Sequence, residues 1–78
     1  MTHLEVTTEP QLLEAPADKN LIVRCNQDKN FYISHDENAP KEGWLKIDPR
    51  QNPLGIEKGK SIYVKVFDEP VTIAIVEF

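Results

Sequence analysis

The sequence predicts an all-β protein, a small antiparallel β-sandwich or barrel of about six or seven short strands. Three observations carry this. The stretch from Lys60 to Phe78, KSIYVKVFDEPVTIAIVEF, holds two β-branched alternations around a polar break. Further short alternating runs precede it at roughly ten-residue spacing, each separated from the next by Pro, Gly, Asn or Asp. The only stretch with a helix-start signal is cut short by a proline.

From the N-terminus, residues 1 to 9 alternate briefly, with Leu4 and Val6 on one side and His3, Glu5 and Thr7 on the other. This is an edge strand or an extended arm. Thr8-Glu9-Pro10-Gln11 has the form of a helix capping box, but Pro16 stops any helix after about two turns. The alternative is an extended segment pinned by Leu12 and Leu13. Two domain segments follow: an N-terminal arm or edge segment, 1–19, and a sandwich domain, 20–78.

Leu21, Val23 and Cys25 face one way in LIVRC, and FYIS follows after five turn-forming or polar residues, so the two runs read as a hairpin. Phe31 shares a face with Ile33. His35 to Gly43 is a polar loop, WLKI a short strand with Leu45 and Ile47 inward, and 48–53 a second loop. Leu54-Gly55-Ile56-Glu57 suggests a strand. Glu57-Lys58-Gly59-Lys60 makes a tight turn, with Gly59 available for a positive φ. The final two runs read as a second hairpin turning at Asp68-Glu69-Pro70. Ile62, Val64 and Val66 share one face of the first run, and Val71, Ile73 and Ile75 one face of the second.

Composition narrows the functional classes. Seventy-eight residues make one domain, and a chain of this size buries only roughly 60% of its unfolded surface, so a partner or a second subunit is a natural source of extra stability. A net charge of −4 argues against nucleic acid and against anionic membranes. No apolar run has the length of a membrane span, and the N-terminus lacks the basic-then-apolar order of a signal peptide. One cysteine forms no intrachain disulfide and fits synthesis in a reducing cytoplasm.

No constellation points to catalysis, a cofactor or a metal. His35-Asp36-Glu37 has ligand-type residues, but three neighbours in one loop do not converge on an ion. Cys25, on an apolar strand face, reads as a small buried hydrophobe. Trp44 has two readings, a core tryptophan closing one end of the sandwich or an interface or sugar-stacking side chain. Leu4, Val6, Leu12, Leu13 and Trp44 are the candidate interaction residues. An extended arm with alternating apolar residues can add a strand to a neighbour's sheet edge.

The run LIVRCNQDKNFYIS, the Pro-containing loop, the turn GIEKGKSIYVKV and the final VTIAIVEF together resemble the small β-sandwich accessory proteins of tailed-bacteriophage virions: head decoration or cement proteins and tail-fibre head-binding modules. In that family the phrase before the last strands reads apolar, acid or polar, Gly, polar, apolar, Tyr or Ala; here Ile56, Glu57, Gly59, Ser61, Ile62 and Tyr63 stand in those places. The resemblance spans about residues 20 to 78 and rests on strand and turn order. It implies a non-enzymatic structural protein, made in the host cytoplasm and residing in the virion, that binds and stabilises the capsid as an oligomer, trimers being favoured. The rival reading is a small carbohydrate- or ligand-binding β module, for example within a tail fibre. A nucleic-acid-mimicking inhibitor fits less well, because lysines are mixed through the chain.

Overall fold

β-branched alternation becomes extended backbone throughout the computed structural model, which describes residues 2–25, 29–48 and 54–78. The strands are β1 (Thr2–Val6), β2 (Gln11–Glu14), β3 (Leu21–Cys25), β4 (Phe31–Ser34), β5 (Leu45–Ile47), β6 (Leu54–Ile56), β7 (Ser61–Lys65) and β8 (Val71–Glu77), with a 3-10 turn at Lys41–Gly43. They form two four-stranded antiparallel sheets, ordered β1-β8-β3-β6 and β2-β7-β4-β5. The all-β expectation therefore holds, as a sandwich of two sheets.

Both expected hairpins are absent. β3 belongs to the first sheet and β4 to the second; β7 lies between β2 and β4, and β8 between β1 and β3. The two sheet orders run in step, so β1 and β2, β8 and β7, β3 and β4, and β6 and β5 hold matching positions in the two layers. Each consecutive pair is an arch that folds one layer over the other. Only the connection from β4 to β5 joins neighbours within a sheet. The cause lies in the linkers. Neither carries the two-residue Asn-Gly or Asp-Gly turn that matches strand twist in a tight hairpin. Pro70, next to Val71, brings no N–H to a ladder. An arch also buries the apolar faces of both its strands against each other at once.

The segment with the capping-box signal is strand, not helix: Gln11–Glu14 pairs with Ser61–Val64. Pairing continues past its end, where Ala15 N donates to Lys60 O at 2.9 Å and Gly59 N to Pro16 O at 2.8 Å. This strand raises the number to eight, above the six or seven expected. Residues 2–14 thus supply one edge strand to each sheet.

The core lies between the layers. Val6, Leu21, Val23, Cys25, Ile56, Val71 and Ile73 from one side meet Leu13, Phe31, Ile47, Ile62, Val64 and Val66 from the other. Alternation placed the β3, β7 and β8 members of this set correctly, but Val6 and Leu13 are core where the sequence suggested interaction residues, and Leu45, expected inward, is 60% exposed at the edge of its sheet while Ile47 is buried. Among the described residues no polar or charged side chain is buried. Ala74 is also buried, but outside this core; its cross-strand neighbours His3 and Arg24 flank it on the outer face.

The turn into β7 forms as the sequence predicts. Lys60 N donates to Glu57 O at 3.0 Å, Gly59 has φ +79°, and Lys58 N is tied to Asn20 Oδ1 at 2.8 Å. A Cβ at Gly59 meets no atom within 4 Å, so the cost of adding one is conformational alone. Gly59→Ala is expected to lower stability by about 1–2 kcal/mol, the cost of a left-handed L-residue, and Gly59→Asn by less. Urea denaturation checks this; an unchanged midpoint in the alanine variant would show that the turn relaxes freely.

Candidate interaction surface

Alternation leaves every second residue of the β2-β7-β4-β5 sheet on its outer face. In the register, Lys46 stands opposite Tyr32 and Tyr32 opposite Lys65, while Leu12 and Ser34 stand on either side of Tyr63. Past the end of β7, Phe67 turns its ring onto Tyr32, with centroids 4.6 Å apart and planes at 81°. This is the edge-to-face geometry that aromatic quadrupoles favour.

Trp44 lies on this side of the sheet, outside the core cluster, yet is only 6% exposed. The loop before it accounts for the burial. Ser34 Oγ accepts from Asp36 N at 3.2 Å, Asp36 Oδ1 from Asn38 N at 2.9 Å, and Asp36 O from Ala39 N at 3.1 Å. Pro40 O then accepts from Gly43 N at 2.8 Å and Lys41 O from Trp44 N at 3.3 Å. These nested turns aim the indole N–H at Ala39 O, 3.0 Å away. A Cβ on Gly43 would lie 3.0 Å from Ala39 Cβ, so the loop closes tightly at this glycine. Trp44→Phe removes the indole donor and is expected to lower stability by about 1–2 kcal/mol, the cost of a partly buried carbonyl left without its partner. Thermal melting followed at a peptide-bond wavelength checks this, and a variant as stable as the parent would show the bond to be incidental.

Lysines cover the aromatic rings. Lys65 Nζ sits 5.4 Å from the Trp44 centroid and 4.6 Å from that of Phe67, and Lys41 Nζ lies 5.5 Å from Phe67. Each such contact contributes about 0.5–1 kcal/mol at an exposed site. Among the described residues, an ion pair joins Lys29 and Glu69, at 3.5 Å. It spans a shallow cleft of about 660 Å³ beside Phe67, also lined by Asn30, Tyr32 and Asp68.

The sequence-predicted interaction residues do not gather in one place. Val6 and Leu13 are core residues, and Leu4 is half-buried against the core. Leu12 is 49% exposed on the outer face, across from Tyr63. Trp44 contributes from beneath Lys65. His35, Asp36 and Glu37 are exposed, and among the described residues no group of three potential ligands converges on a metal-sized space. Cys25 is a buried thiol on β3 facing the core. No described helix is long and apolar enough to cross a membrane. Tyr32, Lys41, Lys46, Lys65 and Phe67 were not singled out in the sequence. The outward positions of Tyr32, Lys46, Lys65 and Phe67 follow from alternation and that of Lys41 from the 3-10 turn, but their proximity depends on β4 lying between β5 and β7.

Searches against protein-family models, curated proteins and solved structures find no match for the chain.

Proposed function

We propose that this chain is a non-enzymatic binding protein that attaches to a larger assembly, in the manner of the phage head decoration proteins it resembles, where it binds and stabilises the capsid as an oligomer. The observation that supports this most is the placement of its exposed apolar side chains. Leu12 and Leu45, 49% and 60% exposed, stand on β2 and β5, the two edge strands of one sheet. Phe78, 62% exposed, and Val76 mark the end of β8 in the other. Apolar residues on open edges are what a neighbouring subunit covers, since an unpaired edge also offers backbone donors and acceptors. A small sandwich whose described polar side chains all lie at the surface gains stability when such edges are covered in its folded state.

Sedimentation velocity of the purified chain, with and without capsids of the phage that encodes it, tests the proposal. A symmetric oligomer that pellets with capsids is the expected result. A strict monomer that stays in the supernatant overturns it.

A further inference from the structure

We infer that the outer face of the β2-β7-β4-β5 sheet is a docking surface for a carboxylate-rich segment of a partner protein, held by Lys41, Lys46 and Lys65. The inference rests on the reading of the chain as a binding protein and names the face and the chemistry it uses. Three observations meet here. First, among the described residues no carboxylate pairs with any of the three ammonium groups; Lys41 and Lys65 lie on aromatic rings instead. A ring quadrupole positions a cation without neutralising its charge, so the N–H donors remain open to an incoming anion.

Second, the central lysine is held in place. Lys65 is half-buried on a strand between two other strands, with Trp44 on one side and Phe67 on the other, and Lys46 lies in the same cross-strand row beyond Tyr32. The side-chain entropy that weakens most surface ion pairs has already been lost at Lys65 before a partner arrives.

Third, Lys46 and Lys65 stand together at one end of this face, while Glu14, on the same face, lies at the other end of the β2–β7 pair, opposite Ser61. The whole chain has thirteen acidic and nine basic residues, a net −4. An acidic segment is therefore drawn to the Lys46–Lys65 end of the sheet, which orients the encounter. Asp68 and Glu69 line the far end of the adjoining cleft and set a limit to the positive strip. Trp44 is too deeply buried to stack on a sugar.

The test is titration of the purified chain with short poly-L-glutamate at low salt. Binding is read from the emission of Trp44, the chain's one tryptophan, and from backbone amide shifts. The expected result is binding that weakens with salt and shifts amides of β4, β5 and β7. Affinity should fall about tenfold in the triple variant Lys41→Gln/Lys46→Gln/Lys65→Gln, the combined worth of three modest ion pairs. A charge-matched control, Lys19→Gln/Lys58→Gln/Lys60→Gln, should bind within about twofold of the parent, since those groups lie off this face. If the triple variant unfolds, Lys46→Glu serves in its place, because Lys46 is exposed and touches no ring; it should weaken binding by several-fold.

No binding, equal loss in the control, or tighter binding of oligothymidylate through the same lysines overturns the inference; the last outcome would make this a nucleic-acid face. Self-association that the triple variant abolishes, with poly-glutamate ignored, also overturns it, in favour of a second copy as the occupant. Capsid binding without poly-glutamate binding would remove this face and leave the proposed function standing. Poly-glutamate binding without capsid binding would do the reverse.

Discussion

Ile73→Ala is expected to cost about 3–4 kcal/mol, within the usual range for truncating a core aliphatic. Ile73 has no exposed surface. It sits on β8 between Leu4 of β1 and Cys25 of β3, and faces the second layer. Both its neighbours are anchored in ladders, so the cavity cannot collapse easily, and collapse is what makes such truncations cheap. A chain of this length has a total stability of about 4–12 kcal/mol, so the variant loses a large part of it. Its urea midpoint should fall by about 3–4 M, given a slope near 1 kcal/mol per M for a small domain. Ile73→Val should cost about 1 kcal/mol. Val64→Ala, equally buried but smaller, should lie at the low end, about 2 kcal/mol. A midpoint for Ile73→Ala within experimental error of the parent would mean that the layers are not packed here.

Removal of residues 1 to 9 is expected to destabilise the fold by at least about 3 kcal/mol, starting from the fully buried Val6 and adding the half-buried Leu4. All five residues of β1 pair with β8. Thr7 O accepts from Val66 N at 2.9 Å, and Glu5 O from the Gln11 side chain at 2.9 Å, so the segment is tied to the second sheet as well. Without it, β8 becomes an open edge carrying Ile73 and Ile75, a template for aggregation. Equilibrium denaturation with light scattering checks both effects. A truncated chain that remains as stable as the parent would mean that β1 is held weakly and is available to a neighbour, as an exchanging arm requires.

Alternation along LIVRC, SIYVK and VTIAI identified the core face correctly, though not the burial of Ala74 on the outer face. It did not identify the neighbours. Period two tells which side chains enter the core; lateral partners are chosen by linker geometry and by which apolar faces find each other, and those partners lie far off in sequence. Asp68-Glu69-Pro70 has turn composition whether it closes a hairpin or an arch, so β7 and β8 seemed paired when they are stacked. The helix signal at Thr8 to Gln11 failed because the propensity of a few residues is weak beside burial of Leu13 and pairing with β7. Leu45 fits an inward position by parity, yet it stands on the edge strand β5 where there is little to cover it. Trp44 was legible as unusual, but its site depends on loop turns and on Lys65 arriving from another strand. The lysine–aromatic face was illegible for the same reason.

The arrangement of arches has a consequence for how the chain reaches its native state. On a ribosome, segments emerge N-terminal first at about 5–20 residues per second. β1 and β3 are both made early, but each takes a place beside β8, which appears after all the other described strands. Until Val71–Glu77 leaves the exit tunnel, β1 has no ladder to join and Val23 lacks its cross-strand neighbour Ile75. Most loops must close over long separations before any pairing rewards them, so folding waits for β8 and should take milliseconds to seconds. A nascent chain stalled before β8 would expose two aggregation-prone strands, which makes the synthesis of this small domain an event for chaperones as much as for its own sequence.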